Sequence, residues 1–560
     1  MNRFANALLL RQRAFRFCAF LPLVSAALFL FLFSACSRRE PRADLVLVNG
    51  AEPQSLDPAI VSGQPDGRAA SALFEGLLQF DPKSGEPVPA IAERYEMSPD
   101  GLVYTFFIRS NALWSTGEPI TAHDFVWSWR RAAAPETAAD YAGQLFYIKN
   151  AEAYCTGQTN PATGRRYTGE DMAVRALDDR TLRVELVAPT PFFPDLCAFR
   201  TLAVVPRKAI EKHGDRWVRA PGTPFSGAFT LQAWRVNDRI RVAKNPRYWD
   251  AANVKVETVD FLPQGDPNFC LNIFLRGDAD FIFDKRRMPS ELLDKLKKKP
   301  YFHDFEVLST FFYRYNVTRE PFKDARVRRA LGMAVDKRRI VENITRGGER
   351  IAGAMTPPGT RGYDAPEGLP YNPEAARRLL AEAGFPGGKG LPLFRYLTPS
   401  TVLGVQTAVE LKQMWEKELG VRMEIQQTEW KVFLFEQSRT NFDASYSAWI
   451  GDYNDPNTFL DMFMSRNGNN RTGWSNPRYD ELIRTANAEA DTKKRAALLR
   501  QAETILVHDD APLVPLFFEK GINLYWDDEM GGVWGNLLDE HAVSAMYRKK
   551  PPGKLGSTSR

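Results

Sequence analysis

The sequence predicts a multidomain α/β protein. Three observations carry that expectation: helical stretches followed by short apolar strands, a length beyond one core, and a globular composition. Val402 to Leu419 reads as a helix and Val421 to Gln426 as a strand, the order that recurs in α/β domains. A chain of 560 residues exceeds what a single hydrophobic core supports, so two or three domains are expected. Hydrophobic residues at 44% and no low-complexity tract argue for packed cores rather than extended disorder.

The elements follow in order. Asp44 to Asn49 alternates like a first strand. The loop E-P-Q-S-L-D-P (Glu52 to Pro58) is punctuated by proline, and Asp66 to Leu78 follows as a helix ending in L-F-E-G-L-L. Leu102 to Arg109 is a strand. The helix after it starts at Thr121, with Asp124 three residues on as the reciprocal cap. Leu182 to Leu186, Ala228 to Trp234 and Val254 to Leu262 are further strands, and Asn245 to Asp250 is a turn. Arg326 to Arg346 reads as one helix, with Val327, Ala330, Leu331, Ala334 and Val335 at helical spacing. Pro373 to Gly384 is a short helix with a glycine stop.

The N-terminus has the features of an export signal. Arg3, Arg11, Arg13 and Arg16 precede an apolar run from Phe17 to Phe33, which closes in F-S-A-C at Cys36. The ending resembles a bacterial lipobox, so Met1 to Ala35 is expected to be a signal peptide and Cys36 the lipidated residue. Simple cleavage and a retained anchor are the alternatives, since the run could just cross a bilayer. The net charge of +6 includes those four arginines and no acid from the leader, so about +2 remains on the mature chain. No basic stripe with interleaved aromatics appears, which argues against nucleic acid.

Of the five cysteines, Cys18 and Cys36 lie in or next to the leader. Cys155, Cys197 and Cys270 remain and allow at most one disulfide, whose pair the sequence does not choose. No zinc spacing, G-x-S-x-G elbow, H-E-x-x-H pair or phosphate-cradling glycine loop is present. Neither a cofactor nor an enzymatic reaction is therefore expected.

The most informative stretch is Phe442 to Trp474. Tyr446 to Ile450 reads as a strand that stops at Gly451 and delivers Asp452, Asn454 and Asp455 onto a turn closed by Pro456. Carboxylate and amide groups at a strand end, backed by Trp449 and Tyr453, suit a cationic amine. The same residues also make an ordinary Asx turn.

That segment resembles the amine-anchoring segment of oligopeptide-binding proteins, the extracytoplasmic solute-binding family 5 of peptide ABC importers. E-P-Q-S-L-D-P, L-F-E-G-L-L, D-F-V-W-S-W-R-R, N-P-R-Y-W-D, P-F-K-D-A-R-V-R-R-A-L, L-L-A-E-A-G-F, E-W-K and V-P-L-F-F also resemble family segments, in family order. The resemblance implies a two-lobed periplasmic-binding-protein-like fold (class II, cluster C type) with a third, extra domain. It implies a signal peptide over 1–35 and a tether over 36–43. Lobe I would comprise 44–75, 201–305 and 519–548, the extra domain 76–200, lobe II 306–518, and a disordered tail 549–560.

By the same resemblance Asp452 pairs with the N-terminal ammonium of an oligopeptide, Tyr141 covers the ligand, and Trp449 and Trp430 line side-chain pockets. Core packing is the alternative for these aromatics. Ser62 and Gln64 lie in a loop that approaches the ligand in relatives, or in a plain surface loop. Two departures stand out: Tyr446 replaces an arginine that takes a peptide carboxylate, and no histidine occurs near Gly404. Either Arg286, Arg287 or Arg314 serves the carboxylate, or the ligand is not a simple tri- or tetrapeptide. The implied partners are the ligand, an ABC permease and ATPase complex of the cytoplasmic membrane, and the membrane itself through the lipid anchor. The protein would be a monomer of the cell envelope. A cell-wall peptide receptor, an envelope chaperone and a peptide-signal receptor are the competing readings.

Overall fold

A computed structural model describes residues 40–489 and 491–550. The leader, Cys36 and the tail beyond residue 550 lie outside the described residues. Lys549 and Lys550, expected in a disordered tail, are instead held: Lys549 N donates to Glu529 O at 2.7 Å, and Lys550 Nζ meets Asp528 at 2.8 Å.

From Asp44 onward the chain is organised around an 11-stranded mixed sheet. Its order is Met423–Thr428, Phe394–Pro399, Ala444–Ile450, Phe302–Tyr315, Leu513–Leu524, Phe281–Ile282, Leu45–Val48, Thr258–Leu262, Arg239–Lys244 and Phe229–Arg235, with Arg350–Ile351 pairing on the side of Leu513–Leu524. The two halves are parallel at their centres: Phe394–Pro399 runs parallel to both its neighbours, and Leu45–Val48 to both of its own. Parallel neighbours need helical crossovers, and Val402–Leu419 and Trp430–Ser438 supply them on one side.

Phe302–Tyr315 and Leu513–Leu524 join the halves as a long antiparallel pair. Their register shifts twice, between Glu306 and Thr310 and between Phe311 and Phe312, which divides the pairing into three segments. A separate four-stranded antiparallel sheet is formed by Ala92–Met97, Val103–Ile108, Thr181–Glu185 and Val174–Ala176. Its core draws on residues 59–204 plus one outsider, Tyr453.

Several expected boundaries move for identifiable reasons. The Thr121 helix forms as Ala122–Ala133, with Thr121 N donating to Asp124 Oδ2 at 2.8 Å. The helix expected over 66–78 is Gln64–Leu73. It stops because Phe74 turns extended, placing its ring against Trp217 and Phe225, while Glu75 accepts from Trp249 Nε1 at 2.6 Å. The helix expected over 326–346 breaks after Ala325–Met333, since Asp336 caps a new turn through Arg338 N at 3.1 Å. Among the described residues Cys155, Cys197 and Cys270 are all free thiols.

Candidate functional site

The carboxyl ends of the parallel strands from both halves of the sheet converge on one cavity of about 590 Å³. Asn49 and Gly50 follow Leu45–Val48, Pro263 follows Thr258–Leu262, and Asp284 follows Phe281–Ile282. From the other half, Ser400 and Thr401 follow Phe394–Pro399, Glu429 and Trp430 follow Met423–Thr428, and Asp452 follows Ala444–Ile450. Ligands of open α/β sheets bind outside the carboxyl ends of strands.

The sequence A-S-Y-S-A-W-I is rich in residues that fit a pleated, buried surface, and Ala444–Ile450 forms the strand that carries the site. It ends where Gly451 N donates to Leu308 O at 2.6 Å. A side chain at Gly451 would be crowded: a Cβ would lie 3.1 Å from the Phe459 ring and 3.2 Å from Thr458 Cγ2. Asp452 is then fixed by its own N–H, which donates to Thr458 Oγ1 at 2.9 Å, and by Gln144 Nε2, which donates to its Oδ2 at 3.0 Å.

No lysine or arginine forms an ion pair with Asp452 among the described residues. Arg200 is the cation that most favours its charge, and Arg200 itself faces Glu540 at 3.7 Å. Withdrawal from water dominates and pushes the Asp452 carboxyl up to about 8, with Asp461 reinforcing the rise. Near neutral pH the group is therefore largely protonated, and a cation brought beside it would favour its ionised form.

Tyr141, Trp449, Tyr446, Trp430, Ser62 and Gln64 all border the same cavity as Asp452. Tyr141 stacks on Trp449, ring centroids 6.0 Å apart, and Trp430 stacks on Phe433 at 5.6 Å. The Nε1 atoms of Trp449 and Trp430 are both buried without a hydrogen-bond partner. Tyr446 is packed edge-on against Phe311, and its hydroxyl meets the Arg286 guanidinium. Asn454 is the exception. It is absent from the cavity wall, and its Oδ1 accepts from Arg361 N at 3.0 Å, so it braces a neighbouring loop. Asp455 is likewise engaged, in a two-bond pair with Arg495 at 2.7 and 2.8 Å.

The wall also holds residues the sequence did not single out: Arg68, Arg200, Gln437, Asn469 and Arg471. Just behind it, Gln144 orients Asp452. These come from distant parts of the chain and carry no local motif. Of the three candidate cations, Arg286 is held by Asp284 at 2.7 Å, and Arg287 donates to Gly265 O at 3.5 Å. Arg314 donates to Ser447 Oγ and Asn469 O.

This arrangement defines a solute receptor: a cleft at strand ends, walled by aromatics and charged groups. Residues 86–471 match the family described as "Bacterial extracellular solute-binding proteins, family 5 Middle". The chain belongs to that family. It is 38% identical over 522 residues to the periplasmic oligopeptide-binding protein OppA of Salmonella typhimurium, covering 90% of this chain and 92% of that one. Its structure matches Haemophilus influenzae OppA in complex with RPPGFSPFR at a TM-score of 0.85 and 30% identity, covering 91% of this chain and 100% of the other. The Escherichia coli murein tripeptide binding protein MppA also matches at 0.85, with 32% identity and 91% and 99% of the two chains covered. The unliganded open form of MppA matches at only 0.61, with 31% identity and 91% and 98% covered.

Proposed function

We propose that this protein is the substrate-binding protein of an ABC importer, which captures extended oligopeptides in the cleft and delivers them to a membrane permease and its ATPase. The observation that carries the reading is Asp452: a carboxylate on the cleft wall, held by Gln144 and Thr458 and without an ion-pair partner among the described residues. An α-ammonium completes it, as a charge-assisted bond worth about 1.5–3 kcal/mol. Main-chain pairing along the site strand would hold the rest of an extended peptide without reading its side chains.

Closure is proposed to occur about the long strand pair, at the register shift between Glu306 and Thr310. The scores of 0.85 and 0.61 against two forms of one relative support a movable pair of lobes, with this chain in the more closed arrangement. The domain limits given above, attachment to the membrane through Cys36, and action as a monomer outside the cytoplasmic membrane belong to the same proposal.

Native mass spectrometry of the protein purified without its leader, followed by sequencing of released ligands, tests it. Heterogeneous short peptides with free amines are expected, and they should be lost in Asp452→Ala. Copurification of peptides that is indifferent to Asp452→Ala would sink the amine-anchored reading and favour a chaperone. One dominant cell-wall peptide would favour the specialised receptor, a reading that the Tyr446 substitution supports.

A further inference from the structure

The cleft wall holds a buried positive charge that no carboxylate pairs among the described residues. Arg314 lies on the long strand Phe302–Tyr315, is 3% exposed, and borders the cavity. Its partners are all neutral: Nε and Nη2 donate to Ser447 Oγ at 3.1 and 2.5 Å, and Nη1 donates to Asn469 O at 3.1 Å. A guanidinium carries five N–H donors, so these three bonds leave donors available. No ion pair forms at Arg314 among the described residues.

Its charged neighbour makes matters worse. Burial, and after it the like-charged Arg471, push the guanidinium down to about 9. Arg471 has its own acid, Asp140, at 2.9 Å. Of the other arginines of the wall, Arg286 is engaged by Asp284 at 2.7 Å, Arg200 by Glu540 at 3.7 Å and Arg68 by Asp539 at 3.6 Å, while Arg287 donates to Gly265 O at 3.5 Å and has Asp284 as the acid acting on it. A buried charge without a counter-ion is costly, and a planar fork is the side chain best shaped to receive a carboxylate in two bonds.

Resting on the function proposed above, we propose that Arg314 is the receptor for a ligand carboxylate, in the place that the uncharged Tyr446 cannot fill. Ser447 and Asn469 hold the guanidinium in place, and the carboxylate cancels a charge that Arg471 otherwise repels. The anionic group is either the α-carboxylate of the peptide or an acidic side chain. Asp452 and Arg314 then select ligands with an amine at one point and a carboxylate at another, whatever lies between.

The test uses the purified chain and alanine peptides of two to five residues, each with a free or an amidated C-terminus. An amidated set with one internal glutamate completes the probes. Wild type is expected to prefer a carboxylate-bearing probe over its amide by about 30-fold or more, the low end of what removing one partner of a desolvated pair does. Arg314→Gln should collapse that preference towards unity by weakening the carboxylate-bearing probes far more than the amides, and Arg314→Lys should keep part of it. Preference for the free C-terminus identifies the α-carboxylate, and rescue of the amides by glutamate identifies the side chain. Equal weakening of acids and amides in Arg314→Gln, with an unchanged melting temperature, would show a merely structural role and overturn the proposal. Wild-type binding without discrimination overturns it too, while failure to bind any probe removes the peptide-receptor reading beneath it.

Discussion

Binding of an amine at Asp452 should release a proton, and the size of the effect follows from the site. In the closed arrangement described above, burial holds the Asp452 carboxyl up at about 8, so before a cation reaches it the group is mostly protonated at pH 7. A peptide ammonium, whose own pKa is about 8, arrives charged. Forming the ion pair therefore expels one proton, and affinity should rise about tenfold per pH unit between pH 6 and 7. The rise levels off near pH 8, where the carboxylate is ionised and the ligand begins to lose its charge. Truncating one partner of a desolvated pair costs about 2–5 kcal/mol. At pH 7 about 1.4 kcal/mol of that is already spent on deprotonation. Asp452→Asn should thus weaken alanine-peptide binding by about 3- to 450-fold at pH 7, more at pH 8 and less at pH 6. Calorimetry in buffers of different ionisation enthalpy counts the proton directly. A flat pH profile with no proton released in wild type would refute this reasoning, as would proton release that survives in Asp452→Asn.

Other consequences are open to simpler measurement. Gly451→Ala forces a Cβ against Phe459 and Thr458, and overpacking of this kind should cost about 1–3 kcal/mol in denaturant unfolding; unchanged stability would mean the turn yields easily. Arg495→Ala leaves the Asp455 carboxylate, only 15% exposed, without its two-bond partner, and a loss of about 3–5 kcal/mol is expected in the same assay. Glu75, Asp461 and Glu503 are each pushed up to about 7 by burial. The native state then binds more protons than the unfolded one between about pH 4.5 and 7, so stability should fall as pH rises through that window. A melting temperature at pH 7.5 equal to or above that at pH 5.5 would contradict it.

Local chemistry was readable wherever the determinant was itself local. The reciprocal Thr121 and Asp124 cap forms as spacing suggests, and Val402–Leu419 ends at Gly420 in the left-handed conformation that glycine permits. One moved boundary was decided by partners remote in sequence, since Phe74 leaves its helix to reach Trp217 and Phe225, whereas the break before Asp336 rests on a local cap. The site shows the same division. Asp452 and the aromatics could be named because they share a recognisable segment or align with one. Gln144, Arg200 and Arg471 could not, because only the folded sheet brings them near Asp452 and Arg314. Asn454 was read from its place in the motif, yet a hydrogen bond to Arg361 takes it away from the cavity.

The residue after Asp452 has a wider consequence. Tyr453 packs into the core of the four-stranded sheet and stacks on Phe192 at 4.8 Å, while Tyr147 donates to Asp461 at 3.0 Å and Arg471 grips Asp140. Under the proposed hinge these contacts form on closing and so act as a latch with its own strength, independent of cargo. Any fraction of time the empty protein spends shut multiplies the affinity for every ligand alike. Substitutions at Phe192 or Tyr147 would then work as a volume control, scaling uptake up or down across all peptides without altering which ones are chosen.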